Sequence, residues 1–225
     1  LGMGISQMVR IAMKTFGFDI SDEKVFEICE DNATRVAIVL EKAQAVEGIA
    51  KAYQEIVDCG GVLTAVTSSQ LFRVVPGLKN NDLYKYFLNP DGSDRVFSAR
   101  DFLLSHPEYL REIPKSPRHP EIYVESVNAL NAQRGKVVTI EDSKTGMGSA
   151  LAAGIPVVLL TKTWPFEDKD AYATKILNEL EEEFGREILD SEVMIVPEAK
   201  DIPYAIANLL DLPPLQHDFQ PVGLL

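Results

Sequence analysis

The stretch "VVTIEDSKTGMGSALAAGIPVVLL", from Val137 to Leu160, constrains the fold more than any other part of the chain. An apolar run ends in two adjacent carboxylates, Glu141 and Asp142, and a Gly-rich, small-residue segment leads to a second apolar run. Both runs are continuously apolar rather than alternating, which is typical of parallel strands buried on both faces. Two like charges at the end of a buried strand repel each other unless a cation lies nearby. The stretch therefore predicts a strand, a helix and a strand, with a cation where the first strand ends.

Helices and strands continue to alternate along the rest of the chain. Helices are expected over 47–61, 122–135, 149–154, 171–185 and 202–210, and strands over 62–69, 95–101, 136–142, 156–160 and 192–197. Residues 1–46 show helical spacing instead, with Gly17 ending one helix and Ser21 or Asp22 capping the next. We therefore expect a helical segment over 1–46 and an α/β core over 47–225.

The composition is that of an acidic globular protein. The chain has 225 residues, of which 46% are hydrophobic and 25% charged, with a net charge of -12. An acidic chain is poorly suited to bind nucleic acid or an anionic membrane surface. No signal peptide or membrane span is evident, and the two cysteines, Cys29 and Cys59, form no CxxC pair. We expect a cytoplasmic monomer or homodimer in which both cysteines are small buried residues.

Two of the predicted strands end in polar side chains, at the edge of a parallel sheet where ligands gather. Thr67, Ser68 and Ser69 follow one strand. They can bind a phosphate through hydroxyls and backbone amides, or they can simply cap the next helix. Glu141 and Asp142 follow another strand and suit a hard, oxygen-ligated cation such as Mg²⁺. The alternative for this pair is a capping Asp beside a solvent-facing Glu.

A basic segment lies between these two strand ends. It reads "KSPRHPEIY", from Lys115 to Tyr123. A lysine that precedes a proline-containing loop and the start of a helix can reach a phosphate as a point charge, although it can equally be a solvated loop lysine. His106, in the preceding "LLSHPEYLREI", either contacts a substrate or lies on a surface loop.

The hydroxyls, the lysine and the acidic pair, in that order, resemble motifs two, three and four of the haloacid dehalogenase-like (HAD) hydrolase superfamily. The resemblance covers residues 47–200 and lies with the phosphatase and phosphomutase branch. That branch reads Thr/Ser at a strand end, then Lys-Pro-x-Pro-Asp-x-Tyr, then Glu-Asp-Ser-x-x-Gly. Pro120-Glu121-Ile122-Tyr123 matches the tail of motif three, but Lys115 lies two residues too far upstream, so Arg118 is an alternative cation. The resemblance implies a three-layer, parallel-sheet Rossmann-like core with a small helical cap.

The resemblance also implies phosphoryl transfer through an aspartyl-phosphate. Thr67, with Ser68 and Ser69, would bind the phosphoryl oxygens, and Lys115 would neutralise the nucleophile and phosphate. Asp142, with Glu141, would hold Mg²⁺. The substrate would be a small phosphorylated metabolite.

The acidic pair bears on the choice among related classes of protein. It favours phosphoryl chemistry over dehalogenation, which needs no Mg²⁺. A receiver-type signalling domain uses similar groups, but there the acidic pair comes first in the chain. A phosphatase is the expected class, with a sugar phosphomutase and a catalytically inactive phosphate-binding relative as alternatives.

The first motif of the family, Asp-x-Asp-Gly-Thr at the end of the first strand, is absent from the sequence. Asp19 and Asp22 are spaced by three residues at a helix entry, and "PDGSD" at 90–94 predicts a surface turn. In the family the first strand lies between those that end here at Thr67 and Asp142. Without it, two buried strand edges would lack partners, so we expect a nucleophile-bearing segment upstream of residue 1.

Overall fold

The computed structural model describes residues 12–99, 102 and 120–213. In chain order its helices and strands are α1 (Asp22–Glu41), α2 (Ile49–Asp58), β1 (Ala65–Thr67), α3 (Leu71–Asn80), β2 (Val96–Ser98), α4 (Glu121–Ala129), β3 (Thr139–Glu141), α5 (Lys144–Ala152), β4 (Val157–Leu160), α6 (Lys169–Phe184), β5 (Val193–Val196) and α7 (Ile202–Leu209). Each strand lies within a predicted span, so the predicted alternation of helices and strands is confirmed. None of the helices in the described part of the chain combines the length and apolar character that a membrane span requires.

The strands form two parallel sheets. β1 pairs with β2, and Thr67 lies opposite Ser98. β4 lies between β3 and β5, and Glu141 lies opposite Leu159. Among the described residues no ladder joins β1 to β3, so each of these strands has one edge without a strand beside it. This is the arrangement expected if a further strand belongs between them.

Both sheets lie between the same two layers of side chains. On one side, a hydrophobic cluster contains Leu159 of β4, and Val66 of β1 packs against it. On the other side, Val158 of β4 belongs to a second cluster, against which Tyr53 of α2 packs. Tyr53 also packs against a third cluster around Val96 of β2, so α2 covers both sheets. The fold is therefore a three-layer α/β arrangement, as predicted.

The helical N-terminal segment begins as the sequence predicts. Gly17 has φ +76 and ends a helical turn at 12–15, and the hydroxyl of Ser21 caps α1. α1 packs closely on α3, because a Cβ on Gly77 would lie 2.7 Å from the carbonyl oxygen of Leu40. The division into a helical cap over 1–46 and a core stays a prediction.

The sequence patterns implied a helix after Ser69 but predicted no range for α3. Pro76 lies inside this ten-residue helix, where its ring removes one backbone N–H donor. Asn81, which follows the last residue of α3, ties the end of this helix to the segment after α1. Its Nδ2 donates to the carbonyls of Gly77 and Ala43, at 2.8 Å in each case. The helix therefore forms because tertiary contacts outweigh the local penalty of proline.

Two smaller predictions also need correction. α5 begins at Lys144 rather than at Ser149, so Gly146 lies in its first turn and not in a preceding loop. Cys59 is exposed at the C-terminus of α2, so the prediction that it is buried is wrong. The side chain of Cys29 lies outside the description.

Candidate active site

The acidic pair lies where β3 ends and α5 begins. Glu141 is the last residue of β3, and Ser143 is the N-cap of α5. The Ser143 hydroxyl accepts a hydrogen bond from the N–H of Gly146 at 3.1 Å. The alternative role of Asp142 as a helix cap is therefore wrong, and its carboxylate remains available for another partner.

Glu141 is turned into the protein. The hydroxyl of Tyr123, a residue that is only 6% exposed, donates a hydrogen bond to Glu141 Oε1. The other oxygen, Oε2, lies against Gly146, where a Cβ would approach it to 1.7 Å. Any side chain at that position would displace the carboxylate, so the glycine is required for space rather than for backbone conformation. The alternative of a solvent-facing Glu141 is also wrong.

The surroundings of Glu141 change its acidity. Burial raises the pKa of Glu141 to about 7, the hydrogen bond from Tyr123 opposes this shift, and the charge of Asp142 adds to it. Burial, and then the charge of Glu141, raise the pKa of the Tyr123 hydroxyl, which therefore acts as a proton donor in this contact.

Asp142 is exposed, and two contacts hold it from the loop that follows β4. Its backbone carbonyl accepts a hydrogen bond from the indole N–H of Trp164 at 2.6 Å. The hydroxyl of Thr163 lies 3.5 Å from its Oδ2. Lys144, two residues after Asp142, pairs with Glu179 and Glu183, and Lys162, just before Thr163, pairs with Glu198. The Asp142 carboxylate is thus open to a cation from solution.

The Asp142 carboxylate matches part of a Mg²⁺ site. An exposed carboxylate oxygen is the kind of ligand that Mg²⁺ takes, and Asp142 supplies one. Within the described ranges no group of three or more His, Cys, Asp or Glu side chains could hold a metal ion. Asp142 therefore fits the ion as a single protein ligand, whereas Glu141 is engaged by Tyr123. The assignment of both residues as metal ligands stays a prediction.

Thr67, Ser68 and Ser69, which we call the hydroxyl loop, lie at the end of β1. The N–H of Ser69 donates to Thr67 Oγ1 at 3.1 Å, which folds the loop on itself. Ser68 is exposed, and the N-cap of α3 is Gln70. These hydroxyls therefore do not act as the helix cap that was the alternative to a phosphate site.

Helix α4 contacts both strands that carry candidate site residues. It packs against β1 and β2, and its Tyr123 donates to Glu141 at the end of β3. Tyr123 belongs to the tail of motif three, so this part of the motif lies beside motif four. The predicted cations Lys115 and Arg118, and also His106, lie outside the described residues.

The described aspartates that the sequence excluded as nucleophiles do not follow any of the five strands. Asp22 is the first residue of α1. Asp91 accepts hydrogen bonds from Ser93 in a turn, and Asp94 accepts one from the hydroxyl of Tyr84. Asp91 and Asp94 thus each have a hydrogen-bond partner within or near the turn, which agrees with their exclusion as nucleophiles.

Solved structures of other proteins share this fold. A HAD hydrolase from Entamoeba histolytica superposes with a TM-score of 0.63 at 19% identity, covering 93% of this chain and 80% of that one. A HAD family hydrolase from Deinococcus radiodurans, with bound phosphate and sodium, gives 0.58 at 19% identity, covering 95% and 80%. A β-phosphoglucomutase from Clostridium difficile gives 0.58 at 14% identity, covering 93% and 78%.

These likenesses establish the fold of the chain. It is the Rossmann-like α/β fold of the HAD-like superfamily, as the sequence motifs implied. The chain matches no protein-family model, and no curated protein is similar enough in sequence to count as a relative.

Proposed function

We propose that the protein is a Mg²⁺-dependent phosphoryl-transfer enzyme that hydrolyses a small phosphorylated metabolite. The observation that carries the proposal is the Asp142 carboxylate, which is exposed just after β3, while Lys144 and Lys162 pair with other acids. A HAD-like fold with a hydroxyl loop at the end of a second parallel strand supports it. The names of the similar structures, hydrolases and a phosphoglucomutase, point to the same chemistry.

Each group in the proposal has a task on the phosphoryl group. The Thr67 hydroxyl donates to a phosphoryl oxygen, and the backbone of Ser68 assists it at the N-terminal end of α3. Lys115 or Arg118 supplies a positive charge beside the transferring group. Mg²⁺, when bound to Asp142, offsets the repulsion between the carboxylates and the phosphate.

The proposal places the nucleophile on a strand between β1 and β3. Both strands have an edge without a described neighbour, and both are only half-buried, whereas β4 is buried throughout. An aspartate at the end of such a strand would stand between Thr67 and Asp142.

Phosphate release by the natural gene product tests the proposal. A panel of phosphometabolites is assayed with Mg²⁺ and with EDTA, and Asp142→Asn is compared with Asp190→Asn, an exposed aspartate elsewhere. Asp142→Asn is expected to lose about 100-fold or more of the Mg²⁺-dependent rate, because a charge that stabilises the transition state is removed. The control should keep the rate.

The other outcomes separate the alternatives. Full Mg²⁺-dependent activity in Asp142→Asn contradicts the assignment of the metal ligand. Transfer of phosphate to a sugar hydroxyl, rather than to water, indicates a phosphomutase. Phosphate binding without turnover across the whole panel indicates a catalytically inactive relative.

A further inference from the structure

The loop that follows β4 makes close contacts with Asp142. Trp164 is 8% exposed, and its indole N–H donates to the Asp142 carbonyl at 2.6 Å. The indole ring packs edge-on against Tyr172, with the ring centroids 4.9 Å apart and an angle of 88° between the rings. Trp164 also belongs to the hydrophobic cluster that contains Val157 and Leu159 of β4. One side of this side chain is therefore fixed in the core, and the other holds the backbone beside the acidic pair.

Other contacts fix the loop itself. The N–H of Trp164 donates to the carbonyl of Thr161 at 3.1 Å, and the ammonium group of Lys169 donates to the carbonyl of Lys162 at 2.9 Å. Lys162 in turn pairs with Glu198, which follows β5. The indole N–H therefore comes from a loop that is anchored to two other parts of the fold.

The carboxylate of Asp142 has weaker restraints than its backbone. It is exposed, and its contact with the Thr163 hydroxyl, at 3.5 Å, is long for a hydrogen bond between oxygens. The direction in which the side chain leaves the chain is therefore set mainly by the backbone, and the indole holds that backbone. The indole contact restrains the carbonyl group of Asp142, and with it the place of the Cα atom from which the carboxylate side chain extends.

We propose that Trp164 is a positioning residue, which orients Asp142 for the cation by holding its carbonyl. This inference rests on the proposed function, because it takes Asp142 to be a ligand of the metal. Trp164 does not touch the cation. Its effect should resemble that of other groups that orient metal ligands, whose loss weakens metal affinity by about 10- to 100-fold.

The test uses the full-length protein and the metal alone. Mn²⁺, as a probe for the Mg²⁺ site, is titrated by electron paramagnetic resonance into wild type, Trp164→Phe and Val193→Ala. Phenylalanine keeps an aromatic ring in the core but has no N–H donor. Val193→Ala removes packing from the same hydrophobic cluster at the other end of β4, where Val193 lies opposite Val157. Thermal unfolding is measured on all three proteins.

The expected result is a dissociation constant about tenfold higher in Trp164→Phe than in wild type, with Val193→Ala unchanged even where it unfolds at a lower temperature. Wild-type affinity in Trp164→Phe overturns the inference and leaves the proposed function intact. If wild type binds no Mn²⁺, or if Asp142→Asn binds it as wild type does, the proposed function fails and the inference with it.

A second measurement covers the case in which Trp164→Phe does not fold. Trp164 is the single tryptophan of these 225 residues, so its emission can report on the Asp142 backbone. Addition of Mg²⁺ should change this emission saturably in wild type and leave it unchanged in Asp142→Asn. Emission that stays constant while Mn²⁺ binds in an Asp142-dependent manner contradicts the inference.

Discussion

In the three-stranded sheet, the strand that carries the acidic pair lies beside the fully buried β4, whereas the strand that carries the hydroxyls pairs with the short β2. Contacts from distant parts of the chain hold the acidic pair: Tyr123 contacts Glu141, and Trp164 contacts Asp142. The contact that shapes the hydroxyl loop, from Ser69 N–H to Thr67 Oγ1, spans two residues. The metal side of the site is thus held by tertiary structure, and the phosphate side by its own backbone. Substitutions in the contacts of the acidic pair should therefore change stability, and those in the hydroxyl loop should have a smaller effect on stability than on activity.

The pH dependence of folding should show the largest effect. The pKa of Glu141 is raised by burial from 4.5 to about 7, so the folded state keeps a proton that the unfolded state releases. Stability should therefore fall as pH rises from about 5 to about 7.5, by roughly 2 to 3 kcal/mol in the metal-free protein, and then level off. Chemical denaturation at a series of pH values in EDTA measures this loss.

Glu141→Gln isolates the contribution of this one carboxyl group. The amide can still accept the hydrogen bond from Tyr123, but it carries no charge at any pH. Its stability should approach that of wild type near pH 5 and exceed it near pH 8. Parallel curves for the two proteins across this range would show that Glu141 ionises as easily in the folded chain as in the unfolded one.

Gly146→Ala should have the next largest effect. The new Cβ would lie 1.7 Å from Glu141 Oε2, so the carboxylate must leave Tyr123 and its buried position. Overpacking and the lost hydrogen bond should together destabilise the fold, and the better helix propensity of alanine offsets about 1 kcal/mol of this loss. We expect a net loss of about 2 kcal/mol in urea denaturation.

Gly135→Ala is the matched control for that substitution. Nothing lies within 4 Å of the position that a Cβ on Gly135 would take. Its free energy of unfolding should stay within about 0.5 kcal/mol of wild type. Equal effects of the two substitutions would mean that the Glu141 carboxylate does not occupy the space beside Gly146.

Tyr123→Phe should cost less, because the ring and its packing remain. The substitution removes the donor to a buried carboxylate, and hydrogen bonds to charged groups contribute about 1.5 kcal/mol or somewhat more. The loss should be greater at pH 8, where Glu141 is ionised, than at pH 5. Tyr172→Phe, in the same hydrophobic environment, is the control and should show no such difference between the two pH values.

Local patterns predicted the strands and most of the helices of this fold. Continuous apolar runs identified β3, β4 and β5, and the order of polar strand ends led to the HAD-like fold. The range of α3 could not be predicted because Pro76 disfavours a helix locally, whereas packing on α1 and the contacts of Asn81 stabilise one. Such contacts join residues far apart in sequence, and no short window of sequence contains them.

The same limit applies to the candidate site. The acidic pair and its place at a strand end could be predicted, because Glu141 and Asp142 directly follow a short apolar run in the sequence. The difference between the two carboxylates could not, because Tyr123 lies 18 residues before Glu141 and Trp164 lies 22 residues after Asp142. Gly146 belongs to the motif, but its role depends on where the Glu141 side chain turns. The sequence therefore indicates the chemistry of the site, and the tertiary contacts decide which acid faces solvent.

The smallest effect on stability is expected for Thr67→Val, on the phosphate side. Valine has nearly the shape of threonine, and the half-buried site loses one hydrogen bond within its own loop, so the cost should be below about 1 kcal/mol. Under the proposed function, turnover in the full-length protein should nevertheless fall by about 100-fold, because the hydroxyl proposed to donate to the phosphoryl group is gone. Thr64→Val, just before β1, provides the opposite case: the Thr64 hydroxyl donates to the carbonyl of Arg95 at 2.7 Å, away from the strand end. That variant should lose stability and keep its turnover, and equal losses of activity in both variants would mean that Thr67 acts through the fold of β1 rather than on the substrate.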